Sequence, residues 1–157
     1  MPFTRNRRMN RLALATVCGL ALVGCAHSAP SPQHVQEEDA KCALVQTLLS
    51  EPVPSQQLNA LVTEGREQPV PVAVFLRRPD EGQLERFFTG ESPDCGSDQF
   101  HVVRQLGRQG LVLYLQETTD GYSYDARRAG PEELSMGGAP LGVVHRKAEG
   151  GWAAAGY

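Results

Sequence analysis

The sequence has little basic charge outside its first residues, and this shortage excludes several kinds of partner. Four of the fifteen basic residues stand in the first 24 positions, where none of the eighteen acidic residues occurs. The remaining 133 residues therefore hold eleven basic and eighteen acidic side chains, for a net charge of −7. Nucleic acids and anionic lipid surfaces are bound through clustered Lys and Arg. We therefore expect neither to be a charge-driven partner of this chain.

The sequence also lacks the motifs of common enzymes. It contains no phosphate-binding loop, no H-E-x-x-H and no G-x-S-x-G, and the nearest string to the last, Gly121–Asp125, ends in Asp on a predicted hairpin. His101 and His145 are candidate general bases that could meet across a sheet, because an imidazole changes protonation near neutral pH. We expect both instead to be polar residues on the solvent face of the sheet. Asp120 and Asp125 flank a turn, where carboxylates are usually turn residues rather than cation ligands.

The apolar run Leu12–Cys25 is too short to cross a membrane as a permanent helix. It has about a dozen apolar residues, whereas a spanning helix needs roughly 20. Four arginines precede the run, and no acidic residue accompanies them. This arrangement is typical of a secretory signal peptide, so we expect residues 1–24 to be removed. Met9 is an alternative start, because the sequence from that residue is a complete signal.

The apolar run ends in the residues Leu22, Val23, Gly24 and Cys25. This motif closely resembles the lipobox of bacterial lipoproteins. The resemblance implies cleavage before Cys25, a diacylglycerol thioether on its sulfur and usually a third acyl chain, such as palmitate, on the new amino group. Ala26 resembles the residue found at that position in lipoproteins of the outer membrane, whose domains face the periplasm. Acyl chains contribute about 0.8 kcal/mol per buried methylene, so two or three make a permanent anchor. The alternative is an ordinary signal peptide cut near Ala29.

The cysteines agree with export. Cys18 would leave with the signal and Cys25 would carry lipid, which leaves Cys42 and Cys95 as a pair. In an oxidising periplasm we expect this pair to form a disulfide. A thiol nucleophile or a metal pair is less favoured, because neither cysteine has C-x-x-C spacing or a nearby histidine.

The remaining chain predicts a tether and one domain. Residues 25–38 are rich in Ala, Ser, Pro and Gln without an apolar period, which predicts a flexible tether. Residues 39–157 then form a single domain. Apolar spacing and caps predict three short helices: Glu37–Ser50, a second capped by Ser55 and ending at Gly65, and a third from Asp80 to Gly90.

Alternating apolar residues and turn signals predict a series of strands after the first two helices. They are Pro69–Arg78, Gln99–Leu106, Leu111–Thr118, Tyr122–Ala126, Leu141–Arg146 and Trp152–Tyr157. Their spacing predicts an α+β fold, with short N-terminal helices packed on one face of a four- to six-stranded antiparallel meander. The loop at residues 127–140 is long enough to be either an interaction surface or a surface excursion. The order of elements loosely resembles cystatin-like or nuclear-transport-factor-like folds, in which helices precede a curved antiparallel sheet.

Together these features favour a lipid-anchored periplasmic domain that is not an enzyme. We expect it to bind a protein of the cell envelope, as an accessory or an inhibitor, without a cofactor or metal. The alternative is a small-ligand-binding module with its pocket on the concave face of the sheet, lined by Phe100, Val102, Leu113 and Tyr124. A hydrolase that uses His101 or His145 is a third possibility.

Overall fold

A computed structural model describes residues 31–50, 52–64, 68–78, 82–90, 93–131, 133 and 137–157. The signal residues 1–24 and Cys25 lie outside these ranges. Within them, two helices precede a sheet, which confirms the predicted α+β class. The elements are α1 (Pro32–Leu49), α2 (Gln56–Thr63), β1 (Val70–Arg78), β2 (Gln83–Arg86), β3 (Phe100–Val102), β4 (Gly110–Glu117), β5 (Gly121–Ala129), β6 (Gly142–Arg146) and β7 (Trp152–Gly156).

Helix α1 begins earlier than the sequence pattern predicts. Ser31 is its N-cap and accepts a hydrogen bond from the backbone N–H of His34 at 3.3 Å. Pro32 follows at the first helical position, where its missing N–H has no cost. The prediction of a flexible tether is therefore wrong for residues 32–38, while residues 25–30 lie outside the described ranges. The second half of α1 enters the core through Leu44, Val45, Leu48 and Leu49.

The sheet is mixed and larger than predicted. Its strand order is β2-β1-β4-β5-β6-β7, with β3 beside the first residues of β1. Strand β1 runs parallel to both β3 and β4, whereas the other pairs are antiparallel. The sheet described here thus has seven strands instead of four to six. The long connection from β1 to β4 explains the parallel pairing, since a crossover of a dozen or more residues lets a strand return in the same direction.

The predicted third helix is wrong, because its residues form strand β2. This strand is antiparallel to β1, with Phe75 opposite Arg86 and Arg78 opposite Gln83. Gly82 has a φ of 59°, a left-handed conformation that suits the tight turn before β2 and not a helix interior. Asp80, the expected cap, lies outside the described residues. In this segment, hydrogen bonding to β1 determines the structure, although the apolar residues have the spacing of a helix.

One face of the sheet, which we call the helix face, packs against α1 and α2. Its core joins alternate residues of β1 and β4 to both helices, and its fully buried members include Leu44, Leu48, Leu58, Val72, Leu111 and Leu113. The predicted disulfide is confirmed: Cys42 on α1 is bonded to Cys95, with 5.5 Å between their Cα atoms. The disulfide fixes α1 to the segment that precedes β3.

The opposite face carries a smaller apolar cluster, made of Ala73, Phe75, Leu106, Val112, Tyr114 and Ala129. Residues Val70–Leu76 of β1 are all buried, so this strand is covered on both sides. We call this side the arginine face, because guanidinium groups of Arg77, Arg86 and Arg127 lie over its two aromatic rings.

Candidate functional site

The two candidate histidines do not meet. His101 lies on β3 and His145 on β6, and strands β1, β4 and β5 separate them. Four spacings of about 4.8 Å separate the two strands by roughly 19 Å across the sheet, and the two histidines also lie toward opposite ends of the strands. His101 is half-buried, and its Nδ1 has no hydrogen-bond partner. His145 is exposed. A mechanism that uses both imidazoles together is therefore excluded by the strand order.

Asp120 and Asp125 are also separated. Asp120 is exposed in the turn between β4 and β5, whereas Asp125 is buried within β5. Five residues of extended strand correspond to about 16 Å, which is too far for both carboxylates to bind one cation. Among the residues that the structure describes, no group of three His, Cys, Asp or Glu side chains is placed to hold a metal ion.

The pocket expected on the concave face of the sheet is occupied by core packing. Its four predicted lining residues, Phe100, Val102, Leu113 and Tyr124, are 0 to 6% exposed and belong to the core between the sheet and the helices. Tyr124 also donates a hydrogen bond from its hydroxyl to the carbonyl of Ala155 at 3.1 Å. These side chains therefore form part of the packed core, and a ligand would have to displace them.

An open cleft of about 700 Å³ lies instead at one end of the sheet, between the β4–β5 turn and the β6–β7 hairpin. We call it the Trp152 cleft; the residues that matter most for its chemistry are Glu117, Asp120, Tyr122, His145, Arg146 and Trp152. It brings Asp120 and His145 to one surface, although no pattern in the sequence connects them. The cleft combines aromatic faces with charges of both signs.

A row of aromatic rings connects this cleft to the core. Phe88 contacts Phe87 edge-on with 5.5 Å between ring centroids, and Phe87 contacts Tyr122 at 5.9 Å. Tyr122 in turn lies 5.9 Å from Trp152. Phe87 and Phe88 are buried, whereas Tyr122 and Trp152 are half-buried. The exposed end of the row is thus held in place by its buried end.

Charges are placed around the exposed end of this row. The guanidinium of Arg146 lies 5.0 Å from the centroid of the Trp152 ring, within the range of a cation–π contact. Burial, followed by the negative charge of Glu117, raises the pKa of Tyr122 above its ordinary value. The phenol therefore remains neutral at physiological pH and can donate a hydrogen bond.

Sequence reasoning assigned no role to Trp152 or Tyr122. A signal was nevertheless present, because the single tryptophan of the chain directly follows the glycine pair 150–151, whose residues both have positive φ in a turn. Tryptophan is rarely buried completely because of its size. It is therefore a good candidate for an exposed contact.

The arginine face carries a second polar cluster, built on Tyr114. The guanidinium groups of Arg77 and Arg127 lie 5.7 and 5.8 Å from the centroid of its ring. Arg77 forms an ion pair with the buried Asp125 at 3.7 Å, and Asp125 also accepts a hydrogen bond from the backbone N–H of Gly138. The hydrogen bond holds Gly138 against the sheet, and the ion pair joins β1 to β5.

The loop predicted at residues 127–140 is shorter than expected, because β5 continues to Ala129. Arg127 therefore belongs to the strand, and it donates a hydrogen bond to the carbonyl of Glu133 at 2.8 Å. At Gly137 the φ is 80°, and a Cβ there would collide with the side chains of Arg77 and Asp125. The described parts of the loop are thus fixed to the arginine face.

Comparisons with known proteins give no relative. No family model matches the chain, and no curated protein or solved structure is similar to it. Across the described ranges, neither helix has the length and apolar character that spanning a membrane would require. Function must therefore be inferred from the chemistry of the chain itself.

Proposed function

We propose that this protein is a lipid-anchored periplasmic domain of the outer membrane that binds a protein of the cell envelope, without catalysis, as an accessory or an inhibitor. The observation that carries the proposal is the Trp152 cleft. Trp, Tyr and Arg are the residue types most enriched at energetic hot spots of protein interfaces. Here they occur together, as Trp152, Tyr122 and Arg146, on one surface.

The construction of the cleft also suits a binding role. Tyr122 packs on the buried Phe87 and Trp152 packs on Tyr122, so little side-chain freedom is lost when a partner packs on them. Ordering a side chain on binding otherwise costs about 0.5 to 1.5 kcal/mol. A rigid aromatic surface with Arg146 at its edge therefore gives affinity at low entropic cost.

The anchor supports a partner at the membrane. Ser31, the cap of α1, is six positions after Cys25, and six fully extended residues span at most about 22 Å. A lipid on Cys25 would therefore keep the folded domain close to the membrane surface. The partner should accordingly be a membrane protein or another protein held at that surface.

The position of His145 supports a role other than catalysis. A general base is normally oriented by a hydrogen bond to a second group. Among the described residues, no hydrogen bond or ion pair holds the imidazole of His145. Its location on the rim of the Trp152 cleft suits a polar contact at the edge of an interface.

Co-purification of the tagged full-length lipoprotein from gently solubilised envelope tests the proposal. We expect a stoichiometric partner, identified by mass spectrometry, that is lost with Trp152→Ala and with Cys25→Ala. The matched control is Tyr157→Ala, which removes an aromatic side chain that is 84% exposed and lies outside the residues lining the cleft. Equal recovery of the partner with Trp152→Ala and Tyr157→Ala would contradict the assignment to the cleft. Recovery of the wild-type protein alone would contradict the binding role.

A further inference from the structure

A small cavity of about 200 Å³ opens on the arginine face, beside β1 and β2. Its apolar lining comes from Ala73, Phe75 and Leu106, all of which are buried. Its polar lining includes Arg86 and Arg104, both exposed. The cavity is therefore an apolar floor with two guanidinium groups at its opening.

These two arginines differ from Arg77 on the same face, which pairs with Asp125. Among the residues that the structure describes, neither Arg86 nor Arg104 forms an ion pair. By contrast, Arg78 on the other face pairs with both Glu85 and Glu117. The protein thus leaves two positive charges uncompensated in a chain whose overall charge is negative.

One acidic group beside the cavity, Glu133, is already engaged. Glu133 directs its carboxylate to the backbone N–H of Gly130, a residue that lines the cavity, at 2.6 Å. The guanidinium carbon of Arg86 lies 5.8 Å from the centroid of the Phe75 ring, within the range of a cation–π contact. The N–H groups in the guanidinium plane remain available to a ligand.

We propose that this cavity binds a small organic carboxylate that carries one aromatic ring or a short branched chain. An apolar cavity of about 150 Å³ holds one benzene molecule, so 200 Å³ accommodates a ring and its linking methylene. The carboxylate lies at the opening, where guanidinium groups bind it through paired hydrogen bonds. The cavity is on the opposite side of the sheet from the helix core, and the proposal is independent of the protein-binding function.

Equilibrium dialysis with labelled phenylacetate tests this proposal. The full-length lipoprotein is placed in phosphatidylcholine nanodiscs, and empty nanodiscs provide the blank. We expect saturable binding of one phenylacetate per chain. Phenylacetamide, which lacks the charge, and acetate, which lacks the ring, should each bind at least 10-fold more weakly. These comparisons use the wild-type protein and do not depend on how a variant folds.

Two substitutions then locate the site. Arg86→Gln and Arg104→Gln should each weaken phenylacetate binding by about 10-fold, and both positions are exposed enough to leave the fold intact. The matched control is Arg146→Gln, because Arg146 also lies over an aromatic ring but in the Trp152 cleft. The proposal is overturned if phenylacetate shows no saturable binding, if phenylacetamide binds equally well, or if Arg146→Gln weakens binding as much as Arg86→Gln.

Discussion

The two faces of the sheet are covered by different kinds of side chain. On the helix face, aliphatic side chains from α1 and α2 fill the space above the strands, and residues such as Leu48 and Leu113 have no exposed surface. On the arginine face, guanidinium groups cover the rings of Phe75 and Tyr114. Aliphatic packing leaves no space for a ligand, whereas long charged side chains cover apolar surface and leave a cavity between them.

The same arginine-over-aromatic contact has two different surroundings in this molecule. Arg146 lies over Trp152 in an open cleft that also contains Glu117 and Asp120. Arg86 lies over Phe75 beside a cavity whose described lining contains no acidic residue. The first environment favours a broad surface with charges of both signs, as at the edge of a protein interface. The second favours a small anion.

Removal of the disulfide should have the largest effect on stability, and it acts on the helix face. The bond between Cys42 and Cys95 closes a loop with a sequence separation of 53 residues, for which the chain-entropy relation predicts about 4 kcal/mol. We expect the Cys42→Ser, Cys95→Ser double variant to lose that free energy of unfolding in urea titrations. Phenylacetate binding to the folded fraction should persist. A loss of less than about 1 kcal/mol would show that the reduced, unfolded chain is already compact.

Asp125→Ala tests the stability of the arginine face, again by urea titration, and its expected effect on the free energy of unfolding is smaller. The substitution removes the ion-pair partner of Arg77 and the acceptor for the N–H of Gly138. Loss of a partly buried, charged hydrogen-bond partner costs about 1 to 3 kcal/mol. Asp120→Ala is the control, since an exposed turn residue should change the unfolding free energy by no more than about 0.5 kcal/mol. Equal values for the two variants would mean that Asp125 does not hold the loop to the sheet.

The helix face was largely predictable from the sequence. The spacing of Leu44, Val45 and Leu48, the cap at Ser55 and the two cysteines all depend on local patterns, and all appear in the structure as expected. The early start of α1 was missed because Ser31 and Pro32 were interpreted as features of a tether. Both residues are also ordinary signals for the beginning of a helix.

The arginine face could not be predicted, because it depends on contacts between distant strands. The local sequence pattern of β2 predicts a helix, whereas its pairing with β1 makes it a strand and places Arg86 opposite Phe75. The parallel alignment of β1 and β4, which places Phe75 beside Tyr114, is likewise a long-range contact. Apolar periodicity identifies which residues are buried on one element, but it does not identify the neighbouring strand.

Tyr124→Phe tests the interior of the helix face with a moderate effect. Burial, together with the charge of Tyr157, raises the pKa of Tyr124 to about 12. The folded state therefore keeps its proton while the unfolded state loses one above about pH 10, so stability should fall between pH 10 and 12. At neutral pH the variant should be about 1 kcal/mol less stable, because the bond to Ala155 is lost. Above pH 10 this difference in stability should shrink or reverse. If the unfolding free energies of the wild type and the variant instead change in parallel with pH, the pKa of Tyr124 is the same in the folded and unfolded states.

Glu38→Gln should have the smallest effect, and it tests whether the first half of α1 is held to the domain. Burial alone would raise the pKa of Glu38, but hydrogen bonds from Lys41 and Thr89 outweigh it and lower the pKa below its ordinary range. The carboxylate therefore stabilises the fold above its unfolded pKa, and this contribution is lost as the pH falls through the folded value. For a partly exposed group we expect about 0.5 to 1 kcal/mol. Glu37→Gln is the control, since Glu37 pairs with Lys41 but is 65% exposed. If both variants show the same acid profile, the contact between α1 and Thr89 does not stabilise the start of the helix.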